Sequence, residues 1–138
     1  MRFNDNVAIL ELQVDLVFAI MTTIFYYHRR CSVDTIEKIK QQIAENPILL
    51  YMKGSPKMPQ CGFSARAVQC IDACGVEFAY VDILANPDIR EKLPQYANWP
   101  TFPQLYVNSE LVGGSDIIAD LYQQGTLETL LREAEQSL

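Results

Sequence analysis

"ILLYMKGSPKMPQCGFSAR", residues 48–66, decides the fold. Its first part, Ile48–Lys53, is a short continuous apolar run of the kind shown by a strand buried on both faces. Gly54, Pro56 and Pro59 then interrupt the backbone, which predicts a loop without regular structure over 54–59. After the loop, Cys61 stands at the start of a helix that continues through Ala65, Val68 and Ile71 and stops at Gly75. "VEFAYVDI", residues 76–83, alternates apolar and polar positions and predicts a second strand. A strand, a helix and a second strand in this order imply a parallel pair joined by a right-handed crossover.

Outward from this unit the signals stay regular. Asp34, followed three residues later by Glu37, reads as the cap of a helix that places Ile36, Ile39 and Ile43 on one face and ends at Asn46-Pro47. Asn86-Pro87-Asp88 opens a further helix through about Tyr96. "QLYVN" and "ELVGG" are two strands joined by a tight turn at Asn108-Ser109. Ser115-Asp116 is expected to cap the helix "IIADLYQQ", which Gly125 stops, and an amphipathic helix runs from Thr126 to the end. The fold class is therefore α/β, a small mixed sheet covered on both faces by helices.

The chain has 138 residues, 49% of them hydrophobic, 20% charged and 10% aromatic, which suits one soluble domain with one core. Its net charge of -6, with no basic stripe, excludes nucleic acid as a partner. The four cysteines, Cys31, Cys61, Cys70 and Cys74, are even in number, but a chain this well supplied with core residues does not need a disulfide framework. Reduced thiols and a cytoplasmic location are the expectation, and Arg2 alone makes a poor head for an export signal. Composition changes near residue 33. Residues 7–27 are apolar and long enough to span a bilayer, yet Glu11, Gln13 and Asp15 sit inside the run and argue against spanning. The same segment alternates like a strand, and it also reads as an appendage or as upstream sequence with the natural start later, for instance at Met21. Residues 1–33 are accordingly set apart as an extension, and 34–138 as the domain.

A cysteine at a helix start meets unpaired backbone N–H groups and the positive end of the helix dipole, both of which favour thiolate. Cys61 is thus a candidate nucleophile or soft-metal ligand, with Lys53 adding positive charge and Phe63 an apolar wall. Three residues on, where a redox pair would place its second thiol, stands Ser64. Cys70 lies roughly 13 Å farther along the same helix at the standard rise, beyond disulfide reach, and Cys74 is farther still. Those two share a face, but no second pair of ligands accompanies them, so packing explains them better than metal. With Cys31, just outside the regular domain, left as an untested partner, a lone thiolate can form a mixed disulfide with a small thiol and cannot resolve it within the domain. As one ligand of an iron–sulfur cluster it needs the others from a second subunit and from outside thiols.

"KGSPKMPQCGFS" (53–64), "WPTFPQLYVN" (99–108) and "GGSD" (113–116) resemble the monothiol glutaredoxins with the Cys-Gly-Phe-Ser motif, over residues 34–138. The resemblance implies a thioredoxin fold, with a four-stranded mixed sheet flanked by helices. It implies glutathione as a bound thiol and a [2Fe-2S] cluster shared across a homodimer and handed to iron–sulfur acceptor proteins, with a BolA-like regulator as a further partner. By position, Cys61 is then the catalytic thiol and the metal ligand. Lys53 and Arg90 hold the glycine carboxylate of glutathione, Thr101 and Phe102, before a cis Pro103, pair with its backbone, and Gly114, Ser115 and Asp116 take its glutamyl end. Taken singly, Lys53 and Arg90 also read as solvated charges, Asp116 as a helix cap and Phe102 as core. Some members carry a cysteine where this chain has Ser115, so an internal disulfide by that route is closed. The alternative activity is that of a glutathione-dependent disulfide reductase using one cysteine. The "SPKMP" loop before Cys61 sets this class apart from compact two-cysteine enzymes and favours the cluster carrier.

Overall fold

The computed structural model describes residues 19–21, which are helical, and 35–137. Expectations placed on the rest of the leading segment, on Cys31 and on the Asp34 cap lie outside the described residues. The chain divides into two compact units, Met1–Asp34 and Thr35–Leu138. Among the described residues no helix is long and apolar enough to cross a membrane.

The second unit opens with helix α1 over residues 35–45 and then strand β1, Ile48–Met52. Two dipeptide strands follow, β2 (Gly54–Ser55) and β3 (Met58–Pro59), and lead to helix α2, Gly62–Ala73. Strand β4 (Ala79–Asp82), helix α3 (Pro87–Ala97), strands β5 (Gln104–Val107) and β6 (Glu110–Gly113), and helices α4 (Ser115–Gln123) and α5 (Thr126–Gln136) complete it. The main sheet runs β4-β1-β5-β6. β1 and β4 are parallel, while β5 is antiparallel to both β1 and β6. This is the thioredoxin-type architecture implied by the resemblance.

Every residue of β1 is buried, and the period of two along a strand sends them to opposite faces. Ile48, Leu50 and Met52 join Ala67, Ile71, Ile118, Leu127 and Leu131 in a core under α2, α4 and α5. Leu49 and Tyr51 join Ile39, Ile43, Ile89 and Leu93 in a second core under α1 and α3. Full burial of such side chains is worth about 1.5–3 kcal/mol each, so the central strand holds both layers together. At the far end of the sheet Asn108 and Ser109 take positive φ values of 48° and 70°, the two-residue turn that matches the strand twist of the β5–β6 hairpin.

Three expectations need correction. Residues 54–59 are not wholly irregular, because Gly54 pairs with Pro59 and Ser55 with Met58 around Pro56-Lys57. The Ser55 hydroxyl also accepts the Met58 N–H at 3.2 Å, which lets a stretch containing two prolines make a minimal ribbon. The second strand begins at Ala79 rather than Val76, since its ladder with β1 pairs only Ala79–Asp82 with Leu49–Met52. Helix α4 is capped by the backbone of Gly114, and Ser115 is already its first helical residue, with no side-chain cap bond.

The ribbon is pinned at Gly54, whose N–H donates to Asp82 Oδ1 at 2.9 Å. Gly54 has φ of +87°, and an added Cβ would lie 2.5 Å from the Met58 carbonyl oxygen. Gly54→Ala is therefore expected to destabilise the domain by more than about 1 kcal/mol. Thermal unfolding should show a midpoint lowered by roughly 4 °C or more, and an unchanged midpoint would contradict this account of the turn.

Candidate functional site

Cys61 is the N-cap residue of α2, with extended backbone (φ -149°, ψ 137°) and partial exposure. Its side chain makes no full cap hydrogen bond, so the first-turn donors remain open to the sulfur. The backbone N–H of Ser64 does most to hold the Cys61 thiol below its ordinary pKa, and the N–H of Phe63 and the charge of Lys53 add to it, while partial burial opposes the shift. Burial acts the other way on Cys70 and Cys74 and pushes both thiols up, with the nearby Glu128 carboxylate adding to the rise at Cys74. Both lie in the core with Val68 and Ile71, and Cys74 Sγ donates to the Cys70 carbonyl at 3.2 Å. Among the described residues no group of three or more His, Cys, Asp or Glu side chains could hold a metal ion.

Ser64 is fully buried and its hydroxyl accepts the backbone N–H of Lys53 at 3.1 Å. The position of the absent second thiol is thus occupied by a side chain that ties the end of β1 to the first turn of α2. The same Lys53 accepts the Gln60 N–H at 2.9 Å through its carbonyl, so its backbone is held on both sides of the ribbon.

The nine residues singled out in the sequence, Lys53, Cys61, Arg90, Thr101, Phe102, Pro103, Gly114, Ser115 and Asp116, all line one open cavity of about 590 Å³. Four parts of the fold deliver them. Lys53 and Cys61 come from the β1–α2 junction, Arg90 from α3, and the rest from the 101–103 loop and the start of α4. The Phe102–Pro103 bond is cis, as the resemblance implied. Gly114 brings its backbone against the same wall: an added Cβ would lie 3.4 Å from the Pro103 carbonyl oxygen and 3.5 Å from Trp99 Nε1. Asp116 is largely exposed and meets Arg66 Nη1 at 3.4 Å, an exposed pair of the kind worth about 0–1 kcal/mol.

The sequence reading did not assign Trp99, which lines the cavity beside Pro94 and Pro100. The Trp99 indole nitrogen and the Ser115 hydroxyl oxygen are buried without a hydrogen-bond partner, and both belong to this wall. The signal for Trp99 was available, since it is the only tryptophan of the chain and opens the Trp-Pro-Thr-Phe-Pro stretch. Phe63 and Ile117, both exposed, also border the cavity and give its mouth an apolar rim. The whole arrangement offers two cations, one carboxylate and one activated sulfur to an elongated ligand that carries charges at its ends.

A family model described as Glutaredoxin matches residues 48–112. Glutaredoxin 4 of Escherichia coli is 72% identical over 99 residues, covering 72% of this chain and 86% of that protein. The "Probable monothiol glutaredoxin GrlA" of Legionella pneumophila is 78% identical over 86 residues, covering 62% and 97% respectively. Among solved structures, reduced poplar apo GrxS14 has a TM-score of 0.62 at 37% identity, over 72% of this chain and 91% of that one. A buckwheat glutaredoxin–glutathione complex has a TM-score of 0.66 at 20% identity, over 75% and 93%, and bears on the fold alone.

The opposed environments along α2 lead to a measurable order of reactivity. Alkylation by iodoacetamide should reach Cys61 at a lower pH than it reaches Cys70 or Cys74, because only the Cys61 thiolate is favoured by its surroundings. Lys53→Met should move the Cys61 pH profile upward, since a cation that stabilises the thiolate is removed. A profile that stays in place or falls would exclude Lys53 as a contributor.

Proposed function

Because the chain belongs to the monothiol branch of the glutaredoxin family, we propose that it binds glutathione in the cavity at Cys61 and carries a [2Fe-2S] cluster, as cargo, between two copies of itself. The observation that supports this reading most is the convergence of all nine residues on one cavity around a single activated thiol. The cavity suits glutathione on chemical grounds. Lys53 and Arg90 match its glycine carboxylate, Thr101 and Phe102 offer a backbone edge to its peptide, and Asp116 answers its ammonium group. The buried Ser115 hydroxyl at the start of α4 supplies a polar group still without a partner.

The same residues support cluster carriage through what they omit. A cluster of this type takes four ligands, and Cys70 and Cys74 are buried and disfavour thiolate. One thiolate from each of two chains and one from each of two glutathiones complete the set. Ser64 cannot be spared for ligation while it holds Lys53. Residues 34–138 are the unit to which we assign this activity, in a reducing compartment such as the cytoplasm, with iron–sulfur acceptor proteins and a BolA-like regulator as partners.

The activated thiol of Cys61 also favours a second reading, reduction of glutathionylated protein. Cys61 thiolate would attack the glutathione sulfur, release the protein thiolate and form a Cys61–glutathione disulfide. A second glutathione thiolate would then attack that glutathione sulfur, releasing Cys61 thiolate and oxidised glutathione. Cys61 supplies the electron pair in the first step and recovers it in the second, so the net reductant is the second glutathione.

Anaerobic reconstitution with iron, sulfide and glutathione separates the two. The carrier reading expects a brown dimer by visible absorption and sizing, formed only with glutathione, and no colour for Cys61→Ser. A colourless monomer that turns over a glutathionylated protein would establish the reductase in its place.

A further inference from the structure

The loop that offers the backbone edge, residues 99–103, has no ladder to hold it, because β5 begins only at Gln104. Among the described residues, neither the N–H nor the carbonyl of Phe102 takes part in a backbone hydrogen bond of the fold. Something else must fix this edge before a ligand reaches it. Gln104 is fully buried on a strand whose other members are Leu105, Tyr106 and Val107. A carboxamide at such a position is costly unless paired, and each polar atom of this one has a partner. Gln104 Nε2 donates to the carbonyl oxygens of Trp99 at 3.0 Å and Thr101 at 3.2 Å. Its Oε1 accepts the Tyr106 hydroxyl at 3.1 Å, which fixes the amide with its N–H groups toward the loop.

We propose that Gln104 is a positioning residue for glutathione, drawing the Trp99 and Thr101 carbonyls inward so that the edge that follows at Phe102 stays directed to the ligand, with Tyr106 setting the orientation of the amide. This rests on the glutathione reading of the cavity. Tyr106 is itself held in place by an edge-to-face contact with Tyr51, ring centroids 5.7 Å apart. Tyr51 donates in turn to Gln42 Oε1 at 3.0 Å, so the support under the loop is anchored to α1 on the opposite side from Cys61 and α2.

Titration calorimetry of the full chain with S-methylglutathione, whose blocked sulfur removes any thiol chemistry, tests this. Gln104→Met keeps the length of the side chain and deletes its donors, and should weaken binding about tenfold. Gln104→Glu should bind as weakly at neutral pH, with a deficit relative to wild type that shrinks once acid protonates the new carboxyl and restores a donor. The deficit of Gln104→Met should be flat with pH. Tyr106→Phe removes one hydroxyl from the network and should cost about threefold. The Cys61 alkylation profile should be unchanged in all three, since the α2 junction is held by Ser64 and Lys53.

Folded Gln104→Met and Tyr106→Phe proteins that both bind within about twofold of wild type would overturn the proposal, a margin below one ordinary hydrogen bond. So would an affinity loss accompanied by a shifted Cys61 profile, which marks general loosening. If Gln104→Met does not fold, Tyr106→Phe decides by the same margin. Wild-type protein that fails to bind S-methylglutathione defeats the glutathione reading itself, and the inference with it.

Discussion

The hydrogen bond from the Lys53 N–H to the Ser64 hydroxyl joins the last turn of strand geometry at β1 to the first turn of α2. Ser64 is fully buried and Lys53 half-buried, and an N–H that is buried without an acceptor costs about 1–3 kcal/mol. That bond determines where the Lys53 side chain and the Cys61 sulfur stand relative to the helix start. It also explains the Cys-Gly-Phe-Ser sequence better than the loss of a redox partner does. A thiol at position 64 is a weaker acceptor than a hydroxyl, so the serine that removes the second sulfur also strengthens the junction presenting the first.

Support for the site extends away from this junction in two directions. Asp82 on the neighbouring strand accepts from Gly54 and from Leu84 through one oxygen, at 2.9 Å each, and so couples the ribbon before Cys61 to the parallel pair β1–β4. On the far side of the cavity the 99–103 loop leans on Gln104. Neither support touches the cavity, and each uses a polar side chain to hold backbone that the main sheet does not hold. The site thus lies where regular structure ends, at the strand termini and helix starts of the α/β layers, where free N–H groups gather.

Much of this was legible in the sequence because it is written in local signals. The continuous apolar run of β1, the Asn-Pro start of α3 and the Asn-Ser hairpin each depend on residues adjacent in the chain. Errors arose where a tertiary partner overrides the local rule. Val76–Phe78 alternates like a strand but has no opposite residues on β1, whose ladder ends at Leu49. The ribbon at 54–59 forms because Asp82, twenty-eight positions away, accepts the Gly54 N–H. For the site, physical chemistry alone identified Cys61 from its place at a helix start and nominated Lys53 nearby. Arg90, Thr101 and Asp116 carry no periodic or spacing signal that links them to Cys61, and only the resemblance grouped them. Trp99 and Gln104 were passed over because an apolar ring and a buried amide look like core until their hydrogen-bonding atoms are accounted for.

The charge distribution adds a constraint on what the cavity admits. The chain carries 17 acidic and 11 basic side chains, so its overall field repels an anionic peptide. Charges separated by more than about 10 Å are largely screened at 0.1 M salt, which removes most of that repulsion and leaves the local groups. Within the cavity two of the bases, Lys53 and Arg90, stand in a wall that also includes Pro94, Pro100 and Phe102. Apolar surroundings strengthen a cation's attraction for a carboxylate, and they offer nothing to a neutral competitor of the same size. On the proposed reading, discrimination in favour of an anionic thiol peptide would come from a few groups at contact distance, so that an acidic protein could hold an acidic ligand without a basic surface to attract it.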